Sequence, residues 1–430
     1  MTHVSHSLDA EVIVIGAGVI GAACASRLAQ AEREVMLLDA GEVGMGASFG
    51  NAGHIATEQL FPLASPEVVR GSWRYLLAAD GPLRLRLGYL LPILPWLARF
   101  VWAARPRSFA RGVAALLALQ ESARDDLAQL LEDVGAAQLL HLNGHMDVWE
   151  SESGRNAALA LARRLRPYGI ESMPVSASAL QEATPALSRG VQGGVHYLDS
   201  GHVEDPHAVC TALAQDLLKH GGRIQQCRVE QVQAMTSHCA TLTLQDGGTL
   251  RAQRVLICAG AWSKPLAASL GYHVPLDTER GYHITLAPQP ASGSGDRPAL
   301  NRPVASGERK VIMTPMSMGL RMTGTVEFGG LHLPPDPRRY TLLQRHLQAL
   351  LPGANTDGVS TWMGFRPSLP DHLPVLGVAP RHPNVFLAFG HQHLGLTLAG
   401  VTARIMTEVV LGRRSPIELA PYSVDRFASW

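Results

Sequence analysis

The chain has 430 residues, a length that suits two or three domains, and its 46% apolar and 17% charged residues supply ample core material with no disorder-type bias. Thirty-seven basic against 36 acidic residues give a formal charge of +1, which excludes a general polyanion binder and leaves no expectation of nucleic acid as a partner. The five cysteines (Cys24, Cys210, Cys227, Cys239 and Cys258) are isolated and form no CxxC, so neither a disulfide framework nor a metal site is expected and a reducing compartment is.

Residues 1–10 are polar and carry no apolar signal-peptide core, so a cytoplasmic location is expected. Residues 11–15 (EVIVI) form a short β-branched run of the kind found in buried parallel strands. The run enters Gly16-Ala17-Gly18-Val19-Ile20-Gly21, then a helical pattern, then a second strand at 34–38 that ends on Asp39. Strand, GxGxxG, helix, strand and acid together make a dinucleotide fingerprint. The first glycine makes the turn, the second admits the pyrophosphate and the third lets helix and strand pack closely. The acid accepts from ribose hydroxyls. An acid 18 residues after Gly21 disfavours a 2′-phosphate. A second small-residue loop follows, running from Gly44 through Ser48, Asn51, Ala52 and Gly53 to His54. An NAD dehydrogenase usually has a helix there; a long glycine-rich loop suits a larger cofactor, FAD.

Residues 81–120 contain Arg84, Arg86, Arg99, Arg105, Arg107 and Arg111 and no acid, interleaved with apolar residues including Trp96, Phe100 and Trp102. Two readings stay open: an amphipathic segment lying in a membrane interface over 83–111, or a buried helical hairpin with solvated arginines. The longest apolar stretch, 87–98, has 12 residues and two prolines, short of the ~20 a spanning helix needs. Further on, Asp246-Gly247-Gly248 marks a hairpin between strands at 241–244 and 249–251. A strand at 255–258 ends in Ala259-Gly260-Ala261-Trp262. Residues 281–286 alternate like a half-buried antiparallel strand, with more strands at 310–314 and 320–324, and 288–302 reads as a linker.

The N-terminal run EVIVIGAGVIGAACASRLAQAEREVMLLD, with GASFGNAGHI after it, resembles the FAD-dependent D-amino acid oxidase/glycine oxidase superfamily. Within it the likeness is to the bacterial D-amino acid dehydrogenase small-subunit type. CAGAWS at 258–263, ERGYHITL at 279–286, RMTGTVEFGGL at 321–331, WMGFRPSLPD at 362–371 and GHQHLGLTLAG at 390–400 extend it over nearly the whole chain. The resemblance implies an α/β fold with a Rossmann-like FAD-binding domain (9–65, 155–265 and 357–430) and a discontinuous α+β substrate domain built on an antiparallel sheet (66–154 and 266–356). FAD is expected to be non-covalent, since no cysteine follows Cys258 to form the C-terminal link some relatives use.

The site residues implied are Gly16, Gly18, Gly21, Asp39, Ser48, Asn51, Ala52 and Gly53 along the dinucleotide, with Val229 at the adenine. Ala259, Gly260 and Trp262 follow the backbone near the cofactor. Gly390, His393, Leu394, Gly395 and Thr397 close over the isoalloxazine. For catalysis the resemblance implies Arg366 as the clamp on the substrate carboxylate, Tyr282 facing the substrate and His54 beside it. The alternatives are an ion-paired Arg366, a core Tyr282 and structural histidines at 391 and 393, where the family more often has Gly or Thr. The implied activity is hydride transfer from a D-amino acid to flavin N5, with electrons passed to a membrane quinone. ERGYHITL and GHQHLGLT are similar to D-hydroxyproline dehydrogenases, which points to D-proline or cis-4-hydroxy-D-proline. The competing expectations are a glycine/sarcosine-type oxidase using dioxygen and a flavoprotein subunit of a heteromeric dehydrogenase. The location implied is cytoplasmic and peripheral on the inner face of the membrane.

Overall fold

Two large sheets meet across a deep cavity. The computed structural model describes residues 8–77, 81–236, 239–288 and 300–428. The first sheet has eight strands. Its central path runs Arg223–Gln226, Val35–Asp39, Ala10–Ile15, Thr249–Ile257, Cys239–Leu244 and Val229–Thr236; His382–Phe389 joins alongside Thr249–Ile257, and Val375–Ala379 pairs with His382–Phe389. The pairs among Arg223–Gln226, Val35–Asp39, Ala10–Ile15, Thr249–Ile257 and His382–Phe389 are parallel. Val12 and Val14 bury against one face, and Ile13 and Ile15 against the other, as alternation demands. Helices Val19–Gln30, Pro206–Lys219, Ala399–Val410 and Ala123–Asp133 cover the first face. Val232, Ala240, Leu242 and Leu250 of the antiparallel strands, with Leu266 and Ala267 of Ser263–Ser269, pack in the cluster on the second.

The second sheet runs Ser360–Ser368, Asp277–Leu286, Gly319–Phe328, Val311–Met316, Val304–Ser306, His145–Trp149, Gly193–Tyr197 and Ser172–Ser176. Leu83–Leu85 adds to Gly319–Phe328. Most of its pairs are antiparallel. Helix Pro337–Leu350 packs its Leu343, Leu347 and Leu350 on the side away from the first sheet.

These pairings redraw the expected boundaries. Strands within 155–200 and 357–368 were expected with the nucleotide unit, but they hydrogen-bond into the second sheet, which they complete. Helix Ala123–Asp133, expected with the substrate unit, instead buries Leu127, Leu130 and Leu131 against Ala399–Val410. The arginine-rich segment forms helices Leu90–Ala103 and Pro106–Gln120. Trp96 buries with Ile93 against Phe328, as the helical-hairpin reading has it and the interfacial one does not. Leu87, Leu91, Leu94 and Val101 stand outward, Leu87 at 90% exposure. Among the described residues, no single helix is long and apolar enough to cross a membrane. Residues 1–7 of the leader and 289–299 of the linker-like stretch lie outside the described residues.

Candidate active site

A cavity of about 1190 Å³ extends from the glycine loop of the first sheet to the inner face of the second. At its nucleotide end, Ala10–Ile15 passes through Gly16, at φ +105°, into Val19–Gln30. Gly21 does not reach the cavity. A Cβ there would lie 1.8 Å from the Gly16 carbonyl oxygen, so the third glycine allows close packing, as its place in the motif predicts. The helix has no acid in its first turn, and the Ser48 hydroxyl accepts from the Val19 N–H at 3.0 Å, which fixes the second loop against the helix start. The Asp39 carboxylate accepts from the Ala17 N–H at 2.7 Å and the Gly41 N–H at 2.8 Å, each oxygen keeping a further lone pair.

Gly16, Gly18, Asp39, Ser48, Asn51 and Ala52 line this end. Val229, Ala259, Gly260 and Trp262 line the wall made by the first sheet's later strands. Gly390, His393, Leu394 and Gly395 line the approach to Ala399–Val410. Two expected contacts fall behind the lining. Gly53 donates to Asn51 Oδ1 at 2.8 Å, and the Thr397 hydroxyl accepts from the Ala56 N–H at 3.0 Å, so both brace loops. A side-chain-free turn at a helix N-terminus, an acid ending the second strand and a long cavity fit a dinucleotide flavin.

At the other end, Arg366 comes from Ser360–Ser368 and pairs across to Glu279 of Asp277–Leu286. It lies over Gly281, where a Cβ would sit 2.4 Å from the guanidinium carbon. Any side chain at 281 would displace it. Among the described residues its guanidinium makes one hydrogen bond, a long 3.4 Å contact from Nη1 to the Thr325 carbonyl. Thr325 holds a left-handed φ of +60° at a bulge facing Arg280–Tyr282, and its hydroxyl is buried without a partner. Among the described residues no carboxylate forms an ion pair with Arg366. Glu279 is turned to the Ser368 hydroxyl at 2.7 Å, and burial raises its pKa.

Tyr282 is absent from the cavity wall, a correction to the expected substrate contact. Alternation along the strand sends Glu279 and Gly281 inward and Arg280 and Tyr282 outward. The Tyr282 hydroxyl donates to Glu327 Oε1 at 3.0 Å and accepts from the Asp336 N–H at 3.1 Å.

His54 does line the cavity. Its Nε2 lies 2.9 Å from the Ser200 hydroxyl and 3.8 Å from Glu58 Oε2. His145 Nδ1 lies 3.7 Å from the same oxygen, and its ring stacks on Tyr197 with centroids 4.9 Å apart. Burial, helped by Asp147, pushes the Glu58 carboxyl up to about 8. Burial holds His54 down at about 3 and lowers His145 as well. His393, whose pKa burial and then Arg366 lower to about 4, packs against His372 at 5.2 Å. His391 is tied to the Thr402 hydroxyl at 3.1 Å.

Sequence reasoning missed Glu58, His145 and Tyr197. The available signal was the strand HMDVW at 145–149, where polar His145 and Asp147 occupy one alternating face.

The family model described as FAD dependent oxidoreductase (DAO) matches residues 11–409. A D-amino-acid oxidase of Bradyrhizobium diazoefficiens is 31% identical over 97% of this chain and 98% of its own length. A D-amino acid dehydrogenase of Paramagnetospirillum magneticum is 30% identical over 98% and 99%. Among solved structures, glycine oxidase from Geobacillus kaustophilus superposes with a TM-score of 0.74 at 21% identity, covering 97% of this chain and 98% of that one. L-proline dehydrogenase from P. horikoshii superposes at 0.73 and 15% identity, covering 99% of both. At those identities the structures speak for the fold alone.

Proposed function

The chain belongs to the DAO family of FAD dependent oxidoreductases and is an FAD-dependent enzyme acting on amino acids, and from that premise we propose that it is a D-amino acid dehydrogenase. Its substrates are D-proline or cis-4-hydroxy-D-proline, and a quinone-type acceptor takes the electrons. The observation that carries this reading is Arg366, a cavity-lining guanidinium that, among the described residues, forms no salt bridge and feels the nearby Glu279 carboxyl only at longer range. A buried planar cation with most of its donors left over is matched by a planar anion, and a substrate carboxylate supplies one through two parallel hydrogen bonds.

FAD, when bound, supplies the hydride acceptor at its N5. Gly16 and Gly18 let the backbone approach its pyrophosphate, and Asp39 holds its ribose. Gly390, Leu394 and Gly395, which line the cavity at the entry to Ala399–Val410, would lie beside the ring. Arg366 fixes the carboxylate and therefore the direction of the Cα–H bond, so positioning carries much of the rate. The substrate loses the hydride from Cα and a proton from nitrogen. The resulting imine hydrolyses to a 2-oxo acid, or stays cyclic if the substrate is a proline.

The outward Leu87, Leu91, Leu94 and Val101, near the exposed Arg105, Arg107 and Arg111, support a peripheral contact with an anionic membrane surface, where a quinone is available. The oxidase named among the relatives favours a second reading, direct use of dioxygen. A panel of D- and L-amino acids with an artificial electron acceptor, run beside an oxygen electrode, tests both. D-selective dye reduction with negligible oxygen uptake is expected. L-selectivity overturns the substrate class, and fast oxygen uptake without dye overturns the acceptor.

A further inference from the structure

One corner of the same cavity is built from three distant segments: the turn after His54–Ile55, and the strands His145–Trp149 and Gly193–Tyr197. Strand register sets His145 directly across from Tyr197, and the two rings stack. His54 meets the His145 ring edge-on at 4.5 Å. Glu58 Oε2 lies 3.8 Å and 3.7 Å from the two imidazole nitrogens, too far for a hydrogen bond to either. Glu58 Oε2, His145 Nδ1 and the Tyr197 hydroxyl are all buried without a hydrogen-bond partner, and all three residues line the cavity. Three orphaned polar atoms in one corner of a cavity mark a place for a guest with polar atoms of its own.

We propose that Glu58, His145 and Tyr197 form a side-chain subsite that receives a neutral hydroxyl carried by the amino acid substrate. The proposal rests on the reading above that Arg366 holds the substrate carboxylate.

The corner's protonation state supports a neutral guest. The Ser200 hydroxyl spends its only hydrogen on the Ile55 carbonyl at 2.7 Å, so it accepts from His54, and the His54 Nε2 carries a proton. A metal ion would have to displace that proton. Burial keeps the Glu58 carboxyl protonated at neutral pH and the imidazoles of His54 and His145 neutral. A cationic side chain would have to ionise Glu58 first. A hydroxyl can donate to one of these atoms and accept from another, and it introduces no charge.

The test compares matched substrates on the FAD-loaded enzyme, with an artificial acceptor. The pairs are cis-4-hydroxy-D-proline against D-proline and D-lysine against D-norleucine. The hydroxylated proline should exceed D-proline in kcat/KM by at least ~100-fold, because the analogue leaves the buried groups unpaired. Glu58→Leu should reduce that preference to about 5-fold or less, whereas Glu58→Gln, which keeps a donor and an acceptor in the same shape, should retain most of it. The retained preference in Glu58→Gln also shows that any loss in Glu58→Leu is not misfolding, and an unaltered flavin spectrum checks the same point.

Equal turnover of both prolines removes the subsite and leaves the Arg366 reading intact. A preference for D-lysine over D-norleucine that Glu58→Gln abolishes overturns the proposal in favour of a cation site. One equivalent of Zn²⁺ retained by the wild type and lost in Glu58→Gln overturns it in favour of a metal site. If no D-amino acid is oxidised, the proposed function fails and the subsite with it.

Discussion

The two faces of the strand Asp277–Leu286 carry similar groups put to opposite uses. On the outward face, Arg280 is fully buried. It donates to the Gly330 carbonyl at 2.8 Å, to Glu327 Oε1 at 3.0 Å, to the Pro334 carbonyl at 3.2 Å and also to the Leu333 carbonyl. Tyr282 adds a further donor to the same Glu327 oxygen. On the inward face, Arg366 has one long contact and faces a cavity. Both arginines lie at the same pair of strands, with Arg280 opposite Phe365 and Arg366 opposite Glu279. Residue type does not separate the structural cation from the one proposed to hold substrate; saturation does. A guanidinium with four of its five donors used holds the fold, and one with most of its donors left over is available to a ligand.

The largest expected effect comes from the unsaturated face. Arg366→Leu should lower kcat/KM for any carboxylated substrate by about 10³-fold or more, roughly 4 kcal/mol of transition-state binding, with the yellow colour and thermal stability retained. Steady-state kinetics beside a thermal melt checks it. If turnover persists, the contrast between the faces carries no functional meaning. Next comes the saturated face. Glu327→Gln leaves the buried Arg280 without its counter-charge and should cost about 3 kcal/mol. That is the low end for a broken buried pair, because three backbone carbonyls still accept from Arg280. Denaturant unfolding reads that loss, while KM for the substrate should move little.

The pH dependence of stability sharpens the comparison from the unsaturated side. Glu58 ionises near 4.5 in the unfolded chain and near 8 when buried. The stability tied to its neutral form is therefore whole below pH 4.5 and is lost as pH rises from 4.5 to 8. The buried histidines act in the opposite direction. His54 and His393, lowered from 6.5 to about 3 and about 4, contribute stability that is present above pH 6.5 and lost as pH falls toward those values. In Glu58→Gln the first slope should disappear, so its unfolding free energy should gain on the wild type between pH 4.5 and 8, by about 5 kcal/mol at the top of that range. Parallel curves would mean that Glu58 is ionised in the folded state.

Legibility follows chain distance. Gly16, Gly18, Gly21 and Asp39 lie within one strand–helix–strand unit, so their spacing alone announces the nucleotide end. Arg366 is legible through its motif. Glu58, His145 and Tyr197 are not, because strand pairing between distant segments brings them together and no spacing records it. The sheet membership of 172–176, 193–197 and 360–368 escaped for the same reason: antiparallel partners are chosen by tertiary register. Tyr282 failed differently. Its strand was recognised, but alternation gives two faces without saying which is inward, and the bulge opposite Arg280 and Tyr282 resets the pairing there.

That failure leads to the smallest prediction. If Tyr282 belongs to the saturated face, Tyr282→Phe removes one donor to Glu327 and the acceptor of the Asp336 N–H, and leaves the ring packed edge-on to Tyr340 at 5.3 Å. Glu327 keeps Arg280, so the cost is that of one modest hydrogen bond and one amide released near the surface, about 1 kcal/mol. Since the hydroxyl does not line the cavity, kcat/KM should stay within about 3-fold of wild type. A stability loss with normal kinetics keeps Tyr282 beside Arg280 as part of the scaffold. A 100-fold fall in kcat/KM at unchanged stability would move it to the substrate, and the inward and outward faces of the strand would have to be reassigned.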